Sequence, residues 1–468
     1  MSDVDVGIAL SLPPPSLLPV TTQESRRPPS ARHAAILQLN RVETEGAYVG
    51  LVRGDELDLD LDARDERQAR EYIAGVTRWQ RWLDFLLANV YKGDFEGMEP
   101  MLKQVLRVGL YDLLFLRTPA HAALNEAVDN AKNLVRQGAG GLVNGMLRNI
   151  LRQVDHLPQP DTGDEADDLA IRHSHPTWMV RRWIERLGVE ETTALLAWNN
   201  ARPAYGLRFN TLSIEEGSAA LDEKGVTREP SPYLDDFFRV TGLQPVVRAG
   251  WLADGTCAVQ DESAGLVVRL LDPQPGETIV DACAAPGGKA IYTASRMQGR
   301  GRVLAFDLNP ARLRMVADMA RKQGLAIVET EAGDLRDLAQ RTTRPLAHRV
   351  LLDAPCSGLG VLSKRADLRW HRREADLDQL TTLQDELLDA AAKLLAPGGV
   401  LVYSTCTIEP EENYERVTAF LKRQPSFQLE SVKGLVPEGM LTPEGCFATT
   451  PQRDGIDGAF GCRLRRAG

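Results

Sequence analysis

Two segments of the chain place a thiol where a reaction could use it. In "LLDAPCSGLGVL" (351–362) an apolar run ends at Asp353, and Cys356 follows three residues later. In "LVYSTCTIEPEENYE" (401–415) a second apolar run delivers Cys406, after which Glu409, Pro410, Glu411 and Glu412 read as the first turn of a helix. A third segment, "DACAAPGGKA" (281–290), follows a strand-like run and opens a helix. Its small residues, Ala284, Ala285, Gly287 and Gly288, let the backbone approach a ligand, and the helix start offers free N–H groups. It is not a phosphate-binding P-loop, because Cys283 stands where that motif needs a glycine.

The acids that follow narrow the ligand. Asp307 ends the next strand, where a carboxylate commonly takes both ribose hydroxyls of a nucleoside cofactor. Asp334, in "GDL" after the third strand, is placed to reach an adenine amino group. A Gly-rich turn plus these acids suits S-adenosyl-L-methionine, which needs no pyrophosphate cradle. A thiol beside a methyl donor has a specific use. Carbon 5 of a pyrimidine is a weak nucleophile; adding a thiolate to carbon 6 makes an enamine-like intermediate that carbon 5 can use to attack a methyl sulfonium. An acid near N3 must stabilise the adduct, and a base must remove the C5 proton. Asp353 can fill the first role if its pKa is raised, and Lys289 is near enough to orient the base. The residues alone do not rank Cys356 against Cys406.

The elements that position these groups alternate. Apolar strand-like runs at 277–283, 302–308, 326–332, 348–354 and 399–405 are separated by helical stretches near 288–297, 310–323, 376–395 and 411–423. This rhythm predicts a doubly wound parallel sheet, Rossmann-like, over 251–468, with ligands beyond the carboxyl ends of its strands. Residues 32–157 carry apolar positions at helical spacing, such as Ala123, Ala127, Val128, Ala131, Leu134 and Val135, and predict an all-α domain. Residues 1–31 are rich in Pro, Ser and Thr and read as a disordered tail, 158–169 as an acidic linker, and 170–250 as a small α+β module.

Composition bounds the class. The chain has 468 residues, 43% hydrophobic and 26% charged, with a formal charge of −10. No apolar stretch approaches the ~20 residues of a membrane helix, and the acidic N-terminus is a poor signal peptide, so a cytoplasmic protein with no membrane partner is expected. The six cysteines form no CxxC pair, so neither a zinc site nor another metal is expected. His173 and His175 read as ordinary polar residues. "SKRADLRWHRR" gathers Lys364, Arg365, Arg369, Arg372 and Arg373 around Trp370, directly after the Cys356 loop. Charge with an interleaved aromatic suits RNA whose target base is splayed out.

"DACAAPGGK", "DAPCSGLGV" and "STCTIEPEEN" resemble the RNA cytosine-5 methyltransferases of the Sun/RsmB family. "PQRDGIDGAFGCRL" (451–464) is similar to that family's C-terminal segment, "ALNEAVDNAK…GLVNGMLRNIL" (123–151) to its NusB-type RNA-binding helical domain, and "HSHPTWMVRRW" (173–183) to the junction after it. The resemblance implies that Cys283, Ala284, Ala285, Pro286, Gly287, Gly288 and Lys289, with Asp307, Asp334 and Asp353, form the S-adenosylmethionine site. It implies that Cys406 is the nucleophile and that Cys356 assists product release. The implied activity is methylation of carbon 5 of a cytosine in small-subunit (16S) ribosomal RNA, by a monomer with ribosomal RNA as partner. The same chemistry on transfer RNA or another RNA, and a non-catalytic RNA-binding or ribosome-assembly factor, are the alternatives. Ala290, Ala366 and Tyr414 depart from the family pattern.

Overall fold

The structure, a computed structural model, describes residues 30–46, 61–116, 118–340 and 347–468. The tail expected over 1–31 falls almost entirely outside them.

Five helices open the chain: α1 (Ala31–Glu45), α2 (Ala63–Val90), α3 (Pro100–Phe115), α4 (Ala120–Leu134) and α5 (Ala139–Leu151). Local chemistry sets their ends. Ser30 caps α1 by accepting from the His33 amide, and Asp62 caps α2 with Asp65 and Glu66 in the first turn. Their apolar faces meet in one core that includes Tyr72, Leu83, Leu86, Val105, Leu106, Leu110, Val143 and Leu147.

The acidic stretch expected as a linker over 158–169 is only partly one. Helix α6 (Glu165–Arg172) begins inside it, with Asp164 as its cap and Glu165, Asp167 and Asp168 in its first turn. Carboxylates there are favoured by the helix dipole, so this acidity marks a helix start. Asp167 also pairs with Arg81 of α2 at 2.8 Å. Helix α7 (Thr177–Asn200) follows, kinked at Gly188 (φ 79°). Its buried Met179, Val180, Trp183, Leu195 and Leu196 share a core with Leu359, Leu362 and Leu368 from far along the chain.

A small antiparallel sheet comes next, built from β1 (Tyr205–Phe209), β2 (Arg228–Pro230), β3 (Phe237–Val240) and β4 (Cys257–Val259) in the order β2-β3-β1-β4, with α8 (Ile214–Glu223) and α9 (Gln244–Arg248) in its connections. Because β4 pairs with β1, this sheet reaches past residue 250, where the α+β module was expected to stop.

The remainder is α10 (Glu262–Leu271), β5 (Thr278–Asp281), α11 (Gly288–Arg296), β6 (Arg302–Asp307), α12 (Pro310–Lys322), β7 (Val328–Ala332), α13 (Leu335–Leu338), β8 (Ala347–Asp353), α14 (Leu368–His371), α15 (Asp376–Leu394), β9 (Leu395–Thr405), α16 (Tyr414–Arg423), β10 (Phe427–Glu430), β11 (Phe447–Thr449), α17 (Pro451–Asp454) and β12 (Ala459–Arg466). All five expected strands form, and β7-β6-β5-β8-β9 are mutually parallel. The sheet is mixed, however: β12 lies antiparallel on β9, and β10 and β11 lie antiparallel on β12. Alternate strand residues serve opposite faces, as a pleat requires. Ile279, Val303, Ala305, Leu351, Val400 and Val402 pack with α10, α11 and α12, while Val280, Leu304, Phe306, Leu352, Leu401 and Tyr403 pack toward α15 and α16. Burial on both faces explains the continuous apolar runs.

Candidate active site

Chain order reverses between β5 and β8, which opens a crevice at their carboxyl ends. The β5–α11 loop lines it. The Ala282 amide donates to Leu351 O and the Ala284 amide to Phe306 O, so both neighbouring strands hold the loop. Gly287 sits at φ 113°, which an L side chain rarely adopts, and heads α11 with no side chain capping the helix. Asp307 ends β6; one carboxylate oxygen accepts from the Ala285 amide at 3.0 Å and the other from the Asn309 amide at 2.9 Å. Asp334 follows β7 and caps α13, with its pKa lowered chiefly by hydrogen bonding from Arg336.

Asp353, at the end of β8, pairs with Lys289 of α11 at 2.7 Å and accepts from Ser404 Oγ at 2.8 Å. Burial works against the Lys289 charge, yet its pKa is raised by Asp353 and, more weakly, by Cys406. Lys289, Asp353 and Cys406 therefore share one electrostatic environment. The Cys356 and Cys406 Sγ atoms lie 3.3 Å apart as free thiols, and the Cys406 amide also points at Cys356 Sγ at 3.4 Å. Cys406 is exposed and Cys356 only partly so. The contact with Cys406, then burial, raises the Cys356 pKa well above the thiol norm. One thiol thus keeps its proton beside another that solvent can reach.

Both cysteine loops are fixed by groups that pattern reading overlooked. Buried Glu412 accepts from the Ser357 amide at 2.8 Å and from Gln384 at 2.9 Å, and Gln384 also donates to Pro355 O. Ser357 Oγ and Thr407 Oγ1, 2.7 Å apart, join the two loops. A Cβ at Gly360 would collide with Gly458 O and come within 2.9 Å of Cys406 O, so only glycine fits there. Fully buried Glu409 accepts from Trp183 Nε1 at 2.8 Å and pairs with Arg182 and Arg186, which ties the Cys406 loop to α7. Asp281 was missed too, although it stands first in the quoted motif. It is buried, neither carboxyl oxygen has a partner of hydrogen-bonding geometry, and burial followed by Asp353 raises its pKa to about 7.

Two expectations are corrected. Pro410–Glu412 is a single 3-10 turn, and α16 starts only at Tyr414, so no helix dipole abuts Cys406. The basic stretch is mostly structural. Arg369 is fully buried and donates to Ser174 O, Asn199 O, Arg78 O and Asn200 Oδ1; Trp370 Nε1 donates to Thr77 O at 2.7 Å. Arg372 donates to the carbonyls of Cys356 and Ser357, and Lys364 pairs with Asp261 and Asp457. These side chains are consumed by packing three parts of the chain together, and only Arg365 and Arg373 remain exposed. His175 is buried with Nδ1 on His173 O. Among the described residues, no group of three or more His, Cys, Asp or Glu is arranged to hold a metal, and no helix is long and apolar enough to cross a membrane.

Sequence profiles match in three places: 16S rRNA methyltransferase RsmB/F at residues 268–465, the NusB family at 29–152, and the RsmF/B-like ferredoxin-like domain at 175–247. A Synechocystis protein named probable ribosomal RNA small subunit methyltransferase B is 34% identical over 445 residues, covering 94% of this chain and 100% of its own length. The Bacillus subtilis protein of the same name is 31% identical over 448 residues, with 94% and 99% covered. The solved structure of PH0851 superposes with a TM-score of 0.79 at 28% identity, covering 95% of this chain and 100% of that one. The cofactor is S-adenosyl-L-methionine, and the residues present fit it. Gly288 leaves an open cradle, with nothing nearer than 3.8 Å to a Cβ built there, and among the described residues the buried Asp281 carboxyl oxygens have no hydrogen-bond partner, so they can take a donor from the ligand. Fold, crevice and relatives agree: this chain belongs to the ribosomal RNA small subunit methyltransferase B family.

Proposed function

We propose that the protein methylates carbon 5 of a cytosine in 16S ribosomal RNA, with Cys406 as the nucleophile. The observation that carries this reading is the pair of thiols 3.3 Å apart beside the Lys289–Asp353 pair, at the mouth of the crevice. Cys406 is the exposed member, so it meets carbon 6 of a base flipped into the crevice. Lys289, paired with Asp353, holds its charge beside Cys406. Asp353, held by Lys289 and Ser404, faces N3 and the exocyclic amine of the base as the adduct forms. S-adenosylmethionine, when bound, supplies an electrophilic methyl group. Cys356 keeps its proton while Cys406 attacks and then assists the elimination, in which a base takes the C5 proton, the C6–S bond breaks and its electron pair returns to the Cys406 sulfur. Asp307 and Asp334 hold the ribose and the adenine, and the loop from Cys283 to Lys289 carries the rest of the cofactor. Ribosomal RNA approaches over the face that includes Arg365 and Arg373, the two basic residues of their stretch left exposed.

The test is methyl transfer from labelled cofactor to 16S ribosomal RNA, read together with denaturing gels. Cys406→Ala should abolish transfer and leave no protein–RNA link. Cys356→Ala should still attack and still methylate, then stall, so a covalent adduct accumulates. The double variant should show none. An adduct with Cys406→Ala but not with Cys356→Ala would reverse the assignment, and full activity in both single variants would end it. Methylation of transfer RNA alone would move the substrate and keep the chemistry.

A further inference from the structure

The crevice has a second wall. Gln260 follows β4 and is only 7% exposed, yet among the described residues its side-chain Nε2 has no hydrogen-bond partner. That nitrogen is the group nearest to Gly288, 3.8 Å from where a Cβ would stand. The uncapped N-terminus of α11, a nine-residue helix, thus faces a buried, unused amide donor. The orientation of the amide is set from behind. Arg208 on β1, 1% exposed, donates Nε to Gln260 Oε1 at 3.3 Å, and a guanidinium can only donate, so the carbonyl must face it and the NH2 must face the loop. Gly206 keeps this arrangement close. The Gln260 amide donates to Gly206 O at 2.9 Å, and a Cβ at Gly206 would collide with Gln260 O.

Charge points the same way. Arg208 stacks 4.4 Å over the Tyr292 ring; among the described residues it makes no direct ion pair and its Nη2 has no hydrogen-bond partner, while Asp236 acts on its charge from farther off. Burial, the largest influence, brings its pKa down to about 10, which leaves it charged near neutral pH. A buried, unused amide donor opposite a helix N-terminus, with a guanidinium behind it, is a place for an anion. Strand order says which anion. Along the crevice the groups run Asp334, Asp307, the β5 loop, Asp353 and Cys406. With the adenosine over β7 and β6, the amino-acid end of the cofactor lies over the β5 loop, where Asp281 suits its ammonium and the Gln260 wall suits its carboxylate.

We propose that Gln260, oriented by Arg208, forms with the N-terminus of α11 a binding subsite for the carboxylate of the S-adenosylmethionine amino-acid moiety. The proposal rests on the cofactor reading above. Its test compares S-adenosylhomocysteine, which carries the carboxylate, with 5′-methylthioadenosine, which lacks the amino-acid part, by calorimetry on the full chain. Gln260→Leu should weaken S-adenosylhomocysteine about tenfold, the usual effect of losing a hydrogen bond to a charged group. The near-isosteric Gln260→Glu should weaken it further by repulsion. Neither variant should change 5′-methylthioadenosine binding. Equal losses for both ligands, or no loss for either, would overturn the subsite. Unchanged cofactor affinity with weakened RNA binding would assign Gln260 to an RNA phosphate instead. Asp307→Ala should weaken both ligands; if the unaltered protein bound neither, the cofactor reading itself would fail.

Discussion

Arg369→Ala separates a structural guanidinium from an RNA-binding one. The side chain donates to Asn200 Oδ1 at 2.8 Å, Ser174 O at 3.0 Å, Asn199 O at 3.2 Å and Arg78 O at 3.4 Å. Hydrogen bonds from a charged donor are worth roughly 1.5–3 kcal/mol each; Nη1 has two N–H groups for three of the acceptors, so three full bonds amount to about 4.5–9 kcal/mol gross. Burial opposes them. It is the main reason the Arg369 pKa falls well below the usual guanidinium value, to about 9, which corresponds to roughly 5 kcal/mol against the charged form. Alanine removes both terms, strands the oxygens away from water and leaves a void. The net loss should be about 3–5 kcal/mol, because several buried acceptors lose their donor at roughly 1–3 kcal/mol each. Because the partners lie on α2 and around both ends of α7, the loss should appear as undocking of the helical domain. Urea unfolding followed by tryptophan fluorescence should show a lowered midpoint, and limited proteolysis should show faster cutting between 158 and 164. In low urea, where the variant stays folded, the salt dependence of RNA binding should match that of the unaltered protein. Native stability with a log–log salt slope reduced by about 0.7–0.9, the value of one lost phosphate contact, would refute the buried-staple reading.

Other expectations follow from the same geometry. Asp307→Ala should weaken S-adenosylmethionine by roughly 1.5–3 kcal/mol, and calorimetry showing unchanged affinity would remove Asp307 from the site. The pKa of Asp281, raised from 3.8 to about 7 mainly by burial, makes the folded chain hold a proton that the unfolded chain has lost, so ligand-free stability should fall as pH rises from about 4 to about 7. A cofactor ammonium beside it favours the charged form, so affinity should rise with pH up to about 7 and then level off; a flat profile, or one that persists in Asp281→Asn, would count against the contact.

Much of the site was legible because its signals are local. Cys356, Cys406, Asp353, Asp307 and Asp334 all sit within three residues of a strand end, and a doubly wound sheet gathers strand ends into one crevice whatever the rest of the chain does. The apolar runs at 277–405 became strands because both faces of the sheet are covered, a pattern visible in composition alone. Long-range pairing carries no such mark. Nothing within "KRADLRWHRR" distinguishes a solvated cation from Arg369, whose partners lie 169 to 291 residues away. The same holds for Trp370, bonded across 293 residues, and for Gln260, whose unused amide is visible only once β1 and α11 flank it. Nor does an acidic run show that Asp164 caps a helix, or a proline that its turn ends three residues on. Periodicity and turn chemistry are properties of neighbours in the chain, and they determined which residues line the crevice. Desolvation and charge pairing are properties of neighbours in space, and only the packed structure decided which cations hold the domains together and which stay exposed.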